Sequence, residues 1–60
     1  MEWISVKDRL PEKEEVHYLI YDGYEIVMGM IDNGKLITLE FIEIDDATHW
    51  MPLPKPPKED

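Results

Sequence analysis

Apolar residues fall in short runs punctuated by turn dipeptides, and the clearest pair of runs surrounds Asn33-Gly34. That dipeptide suits a type I′ turn, because both central positions need positive φ. A two-residue loop there pairs Asp32 with Lys35, Met30 with Ile37, Met28 with Leu39 and Ile26 with Phe41. One face of the hairpin is then apolar at every step, and opposite charges flank the turn. The stripe Met28, Met30, Ile37 and Leu39 is accordingly expected in the core.

Upstream, Val16-His17-Tyr18-Leu19-Ile20-Tyr21 is rich in β-branched and aromatic residues and ends at Asp22-Gly23, a second turn signal. Two registers compete. A two-residue loop sets His17 and Leu19 beside Met28 and Ile26, whereas a three-residue loop with Gly23 left-handed sets Val16, Tyr18 and Ile20 beside Met28, Ile26 and Tyr24. The second is preferred, and it leaves His17, Leu19 and Tyr21 opposite, with Glu25, Val27 and Ile31. That face is too apolar to be wholly wet, so a terminal segment or a second subunit is expected to cover it.

At the start, Trp3-Ile4-Ser5-Val6 reads as a short strand, and Ser5 with Asp8 resembles a capping box for one helical turn over Lys7–Leu10. Pro11 ends that turn, and a charged loop leads into the first long strand. After Phe41 the alternation falters at Ile42-Glu43-Ile44, Asp45-Asp46-Ala47 reads as a loop, and Thr48–Met51 as a last short strand. From Pro52 the chain has four prolines in six residues, which favours polyproline II and ends the sheet. The expected fold is mainly β: a small antiparallel meander of three long strands with short terminal strands, one helical turn near the N-terminus, and a closed small barrel as a competing arrangement. Residues 1–53 form one domain and residues 54–60 a proline-rich acidic tail.

Length limits what this domain can enclose, since a 60-residue chain buries only about 60% of the surface it exposes unfolded. Without cysteine there is neither a disulfide framework nor a thiolate metal site. No stretch approaches the ~20 apolar residues that span a bilayer, and the start lacks the features of a signal peptide, so a cytoplasmic location is expected. Six basic and fourteen acidic residues give a net charge of −8. With its lysines and arginine scattered among carboxylates, the chain is not expected to bind nucleic acid directly. Acidity suits a partner with a basic surface, and it also keeps a small domain soluble.

Catalytic constellations are thin. Ser5, Thr38 and Thr48 are the hydroxyl candidates, none in a strand-turn-helix elbow, and the three glycines stand singly rather than in a phosphate-cradling loop. The carboxylates lack a pocket that could separate their pKa values for acid and base work. No enzymatic role and no cofactor are expected. His17 and His49 coexist with Asp45 and Asp46, yet no short ligand spacing relates them, so no metal site is assigned. Trp3 and Trp50 are expected to clamp the chain ends together onto the sheet, one of them partly exposed as a contact anchor.

Trp3-Ile4-Ser5-Val6-Lys7-Asp8-Arg9-Leu10-Pro11, Tyr21-Asp22-Gly23 and the closing Thr48-His49-Trp50-Met51-Pro52-Leu53-Pro54-Lys55-Pro56-Pro57 resemble the pattern of a phage- and prophage-borne family of small proteins, the domain of unknown function 551 family. The middle departs from that pattern, with Met30 and Leu36-Ile37 where members often carry a further tryptophan. The resemblance implies a viral or prophage origin and a small β domain, and it carries no catalytic residues across. The expected role is to occupy a host protein, as an inhibitor of a bacterial defence or nucleic-acid-processing system, through Trp3, Tyr21, Asp45, Asp46, His49 and Trp50. An accessory structural or small-ligand-binding module is the alternative. A homodimer is expected through Leu19, Val27 and Ile31.

Overall fold

A computed structural model describes residues 2–14 and 16–54; the tail expected to favour polyproline II lies, from residue 55, outside them. Runs dominated by β-branched and aromatic residues become extended, giving β1 (Ile4–Ser5), β2 (Tyr18–Tyr21), β3 (Ile26–Asp32), β4 (Lys35–Thr38) and β5 (His49–Pro52). All are antiparallel in one sheet of order β1-β5-β2-β3-β4. The fold is therefore mainly β, with β2, β3 and β4 as the meander and the last strand lying between β1 and β2. The sheet is open, not closed into a barrel.

The β3–β4 turn is as expected: Asn33 and Gly34 have φ of 53° and 80°, Asp32 stands opposite Lys35, and Met30 opposite Ile37. No neighbour lies within 4 Å of a Cβ placed on Gly34, so Gly34→Val meets only a conformational cost. It should destabilise by more than about 1 kcal/mol, since a β-branched residue resists positive φ. A variant that melts with the parent would reject the turn.

Beyond the Gly29–Thr38 pair the expected register stops, so Met28 does not pair with Leu39, nor Ile26 with Phe41. Thr38 is the cause. Its hydroxyl accepts the N–H groups of Glu40 and Ile42, each at 3.2 Å. Its carbonyl accepts from the Phe41 N–H at 3.0 Å, and its own N–H donates to the Ile42 carbonyl at 2.8 Å. Four bonds to one residue hold Phe41 at φ 66°, a left-handed conformation that costs a non-glycine residue about 1 kcal/mol or more. The chain then runs back along β4, bridging Ile37 with Glu43.

The β2–β3 hairpin adopts neither expected register. Its last pair is Tyr21 with Ile26, which leaves a four-residue Asp22–Glu25 loop built around one carboxylate. Asp22 Oδ1 accepts the Glu25 N–H at 2.7 Å and the Tyr24 N–H at 2.8 Å, while Gly23 supplies a φ of 90°. Those two donors, Glu25 foremost, hold the Asp22 carboxyl below the usual carboxylate range. The folded chain then binds this proton less readily than the unfolded one, so the contribution is complete above the unfolded pKa and is lost as pH falls through the lower folded value. A carboxyl-detected NMR titration should place the Asp22 midpoint below that of an ordinary aspartate. Asp22→Ala should weaken the acid dependence of stability.

Residues paired across strands share a face. Ile4 and Ile20 are both opposite Trp50, Tyr18 and Ile20 face Gly29 and Val27, and Ile31 faces Leu36. On this face Tyr18, Ile20, Ile31, Leu36 and Trp50 are the buried core, with Ile4, Val6, Val27, Ile44 and Ala47 packed against it. Irregular chain covers it. The Trp50 indole N–H donates to the Arg9 carbonyl at 2.8 Å and the Tyr18 hydroxyl to the Lys13 carbonyl at 2.9 Å. Glu14 reaches the far hairpin, accepting the Asn33 N–H at 3.1 Å. The return to β5 is tied by Val6 N–H to the Thr48 carbonyl and Thr48 N–H to the Tyr21 carbonyl.

Several expectations are corrected by this arrangement. Of the stripe expected in the core, Met28 and Leu39 are exposed and Ile37 is buried, but Met28, Met30 and Ile37 lie on the other face, and Val27, Gly29 and Ile31 belong to the core face. Gly29 decides it, because a Cβ there would stand 2.7 Å from Ile20 Cδ1 and against the Ile37 carbonyl. Leu19, Val27 and Ile31 consequently do not form one surface: Ile31 is buried in the core and Leu19 faces away, paired with Met28. The two indoles are also apart, since Trp50 packs edge-on against Tyr18 at 5.3 Å while Trp3 packs against Tyr21. The single turn expected near the N-terminus is present, the Ser5 carbonyl accepting from the Asp8 and Arg9 N–H groups and the Ser5 hydroxyl capping it through the Lys7 N–H.

Candidate functional site

The face turned away from the core is a second apolar surface, laid down in rows by the strand register. His49, Tyr21 and Ile26 form one row, Met51, Leu19 and Met28 the next, and Met30 with Ile37 the third. The first two rows carry no carboxylate, lysine or arginine, whereas Glu43 is bridged to Ile37 at the edge of the third. Asp32 and Lys35 come after the third row, opposite each other beside the turn. Within the face Met51 and Ile37 are buried by their neighbours, whereas Ile26 and Met28 are 55% and 42% exposed.

At one end the face deepens into a groove of about 270 Å³ lined by Trp3, Tyr21, Ile26 and His49. Chain direction places these groups: β1 carries Trp3 to the sheet edge just before Ile4, and His49 opens β5 opposite Tyr21. The Trp3 and Tyr21 rings are tilted by 51° with centroids 6.1 Å apart, and Trp3 is 39% exposed. His49 Nδ1 lies 2.9 Å from the Thr48 hydroxyl, which donates to the Tyr21 carbonyl at 3.3 Å, so the imidazole is oriented from behind. A volume below that of a typical small-molecule pocket fits one or two side chains of a partner. Aromatic walls with one imidazole favour apolar, aromatic or planar groups, and no paired carboxylates face each other in the groove for acid–base chemistry.

Of the residues singled out from the sequence, Trp3, Tyr21 and His49 are brought together here. Trp50 is not with them, being buried in the core at 6% exposure. Asp45 and Asp46 are exposed in a turn elsewhere, with Asp45 lining a separate groove beside Val6, Leu36 and Ile44. His17 is exposed just before β2, and among the described residues no three histidines or carboxylates converge. The sequence reading missed Ile26 and Met28 as surface groups and missed the exposed tip formed by Leu39, Phe41 and Ile42. Gly29 carried the first signal, since a glycine inside a strand marks close approach of another chain segment. Thr38 carried the second only in combination with three-dimensional turn geometry.

Comparison with known proteins agrees with the resemblance read from the chain ends. The family described as "Protein of unknown function (DUF551)" matches residues 2–58. An uncharacterized 7.8 kDa protein of the ral-gp17 intergenic region of Salmonella phage P22 is 35% identical, the alignment covering 98% of this chain and 100% of that protein. The Eaa protein of the same phage is 36% identical over 92% of this chain, but the chain spans only 19% of its length. No solved structure matches.

Proposed function

The chain belongs to the DUF551 family, and from that premise we propose that it is a small non-enzymatic binding protein that acts in the host cytoplasm by occupying a host protein. The observation that supports this most is the apolar groove of Trp3, Tyr21, Ile26 and His49, on a chain whose net charge is −8. Charge and groove have separate tasks. The carboxylates surrounding the face attract a partner with a basic surface over long range and set the association rate, while a partner side chain entering the groove supplies the anchor. The role fitting a phage-related protein is inhibition of the partner, in a defence or nucleic-acid-processing system.

Affinity capture from host lysate tests this, comparing the wild type with Trp3→Ala and Tyr21→Ala. A specific host protein should be retained by the wild type and lost with either variant. Its association should slow as salt is raised. If nothing is captured while nucleotides or metal ions raise the melting temperature, the protein is a ligand-binding module and the proposed role is wrong.

A further inference from the structure

We propose that the partner's anchor is an arginine side chain, whose guanidinium lies against the Trp3 and Tyr21 rings and donates one N–H to His49 Nε2. This anchor rests on the proposed function, since it is the group by which the partner would be held. Two hydrogen bonds behind the imidazole decide where its proton sits. The Tyr21 carbonyl can only accept, so the Thr48 hydroxyl points its proton there, at 3.3 Å. Toward His49 Nδ1, 2.9 Å away, the same oxygen can then only accept. Both contacts are satisfied at once when the neutral imidazole carries its proton on Nδ1. Nε2 is left as a bare acceptor in a groove walled by Trp3, Tyr21 and Ile26.

A bare acceptor beside two π faces calls for a donor that is planar and cationic. Guanidinium stacks on aromatic rings, holds its N–H groups in one plane, and sheds water more readily than an ammonium. A lysine offers the charge without the plane. An aliphatic side chain would strip water from Nε2 and give no donor back. A carboxylate or phosphate would meet the acceptor lone pair with lone pairs of its own. The groove, at about 270 Å³, admits one such side chain and little more.

Charge at this end of the sheet has the matching sign. Three of the wall residues each have a carboxylate for a chain neighbour: Glu2 precedes Trp3, Asp22 follows Tyr21 and Glu25 precedes Ile26. Asp22 is kept ionised by the N–H groups of Glu25 and Tyr24. Against them stands Lys7, which lines a neighbouring groove with Ser5 and His49, so carboxylates outnumber cations beside the aromatic walls. On a chain of net charge −8 this local excess continues the general one, and a cation is drawn toward the groove from long range as well as held in it.

The test is an NMR titration of the full chain with blocked tripeptides, identical except for arginine, lysine or tryptophan at the centre. At a pH where the ring is neutral, the His49 nitrogen signals should place its proton on Nδ1, and Thr48→Val should release that preference. The arginine peptide should bind with a dissociation constant of roughly a millimolar, as suits a single side chain. It should bind about fivefold or more tighter than either other peptide, shifting the Trp3 indole and His49 signals together. His49→Phe keeps a ring in the groove but removes the acceptor, and should bring arginine down to the level of lysine. The unmutated tautomer and titrations stand even if a variant folds poorly. A neutral ring protonated on Nε2, equal binding of the peptides, tighter binding of the tryptophan peptide, or shifts confined to Asp22 and Glu25 overturns the arginine anchor. A protein that fails this test and still captures its host protein refutes only the anchor. An arginine-selective groove on a protein that captures nothing refutes only the proposed function.

Discussion

Gly29→Val should leave the chain unfolded at ambient temperature, and Gly29→Ala should lower its melting point by more than ten degrees or so. Gly29 sits in the middle of β3 on the core face, between β2 and β4. The first atom of any side chain there would approach Ile20 Cδ1 to 2.7 Å and press on the Ile37 carbonyl. Neither neighbour can yield cheaply, because Ile20 is completely buried and the carbonyl belongs to the backbone of the adjacent strand. Overpacking of this kind costs about 1–3 kcal/mol per site, or more where backbone must move. A 60-residue domain has roughly 3–9 kcal/mol in all at the usual stability per residue. Circular dichroism melting of the two variants gives the answer. An alanine variant melting within a few degrees of the parent would mean that β3 presents its other face to the core.

The same glycine explains why the sheet was legible in the sequence while its facing was not. Asn33-Gly34 states its turn type through the φ it demands, and that alone placed Asp32 opposite Lys35 and Met30 opposite Ile37, in a register that holds as far as Gly29 with Thr38. Alternation could not choose a face, because Ile26, Met28 and Met30 are as apolar as Val27 and Ile31. Counting hydrophobic positions ranked the glycine-containing face second, whereas the missing side chain at Gly29 is what lets Ile20 and β4 close over it. The Asp22–Glu25 loop hid its length for another reason. Its register depends on one carboxylate taking two backbone N–H groups, which composition marks as a turn but does not measure. Thr38 likewise reads as an ordinary strand residue until its hydroxyl is seen to reverse the chain. The groove was partly legible because Tyr21 and His49 end and begin strands that pair, and Trp3 is one residue out of phase with Ile4. Trp50 was assigned to the same surface because the pairing that turns it inward, with Ile4 and Ile20, joins residues distant in the chain.

Exchanging the two tryptophans one at a time should separate folding from binding. Trp50 is buried, packs edge-on against Tyr18 and ties the chain covering the core through its bond to the Arg9 carbonyl. Trp50→Ala should cost about 3–5 kcal/mol, the usual range for emptying an aromatic core site, which is most of the stability of so small a domain. Trp50→Phe keeps an aromatic edge for Tyr18 but leaves the Arg9 carbonyl without its indole donor, for a smaller loss of about 1–3 kcal/mol. Trp3 differs in kind. With 39% of it exposed and only the groove wall to complete, Trp3→Ala should cost about 1–2 kcal/mol in folding, in line with partial burial, yet abolish partner capture. Emission spectra add an independent check, since the indole left in Trp3→Phe should emit at shorter wavelength than the one left in Trp50→Phe. Urea titrations of the alanine variants supply the comparison of stabilities. If Trp3→Ala proves as damaging to folding as Trp50→Ala, Trp3 is a core residue, and the groove it lines has no standing as a binding site.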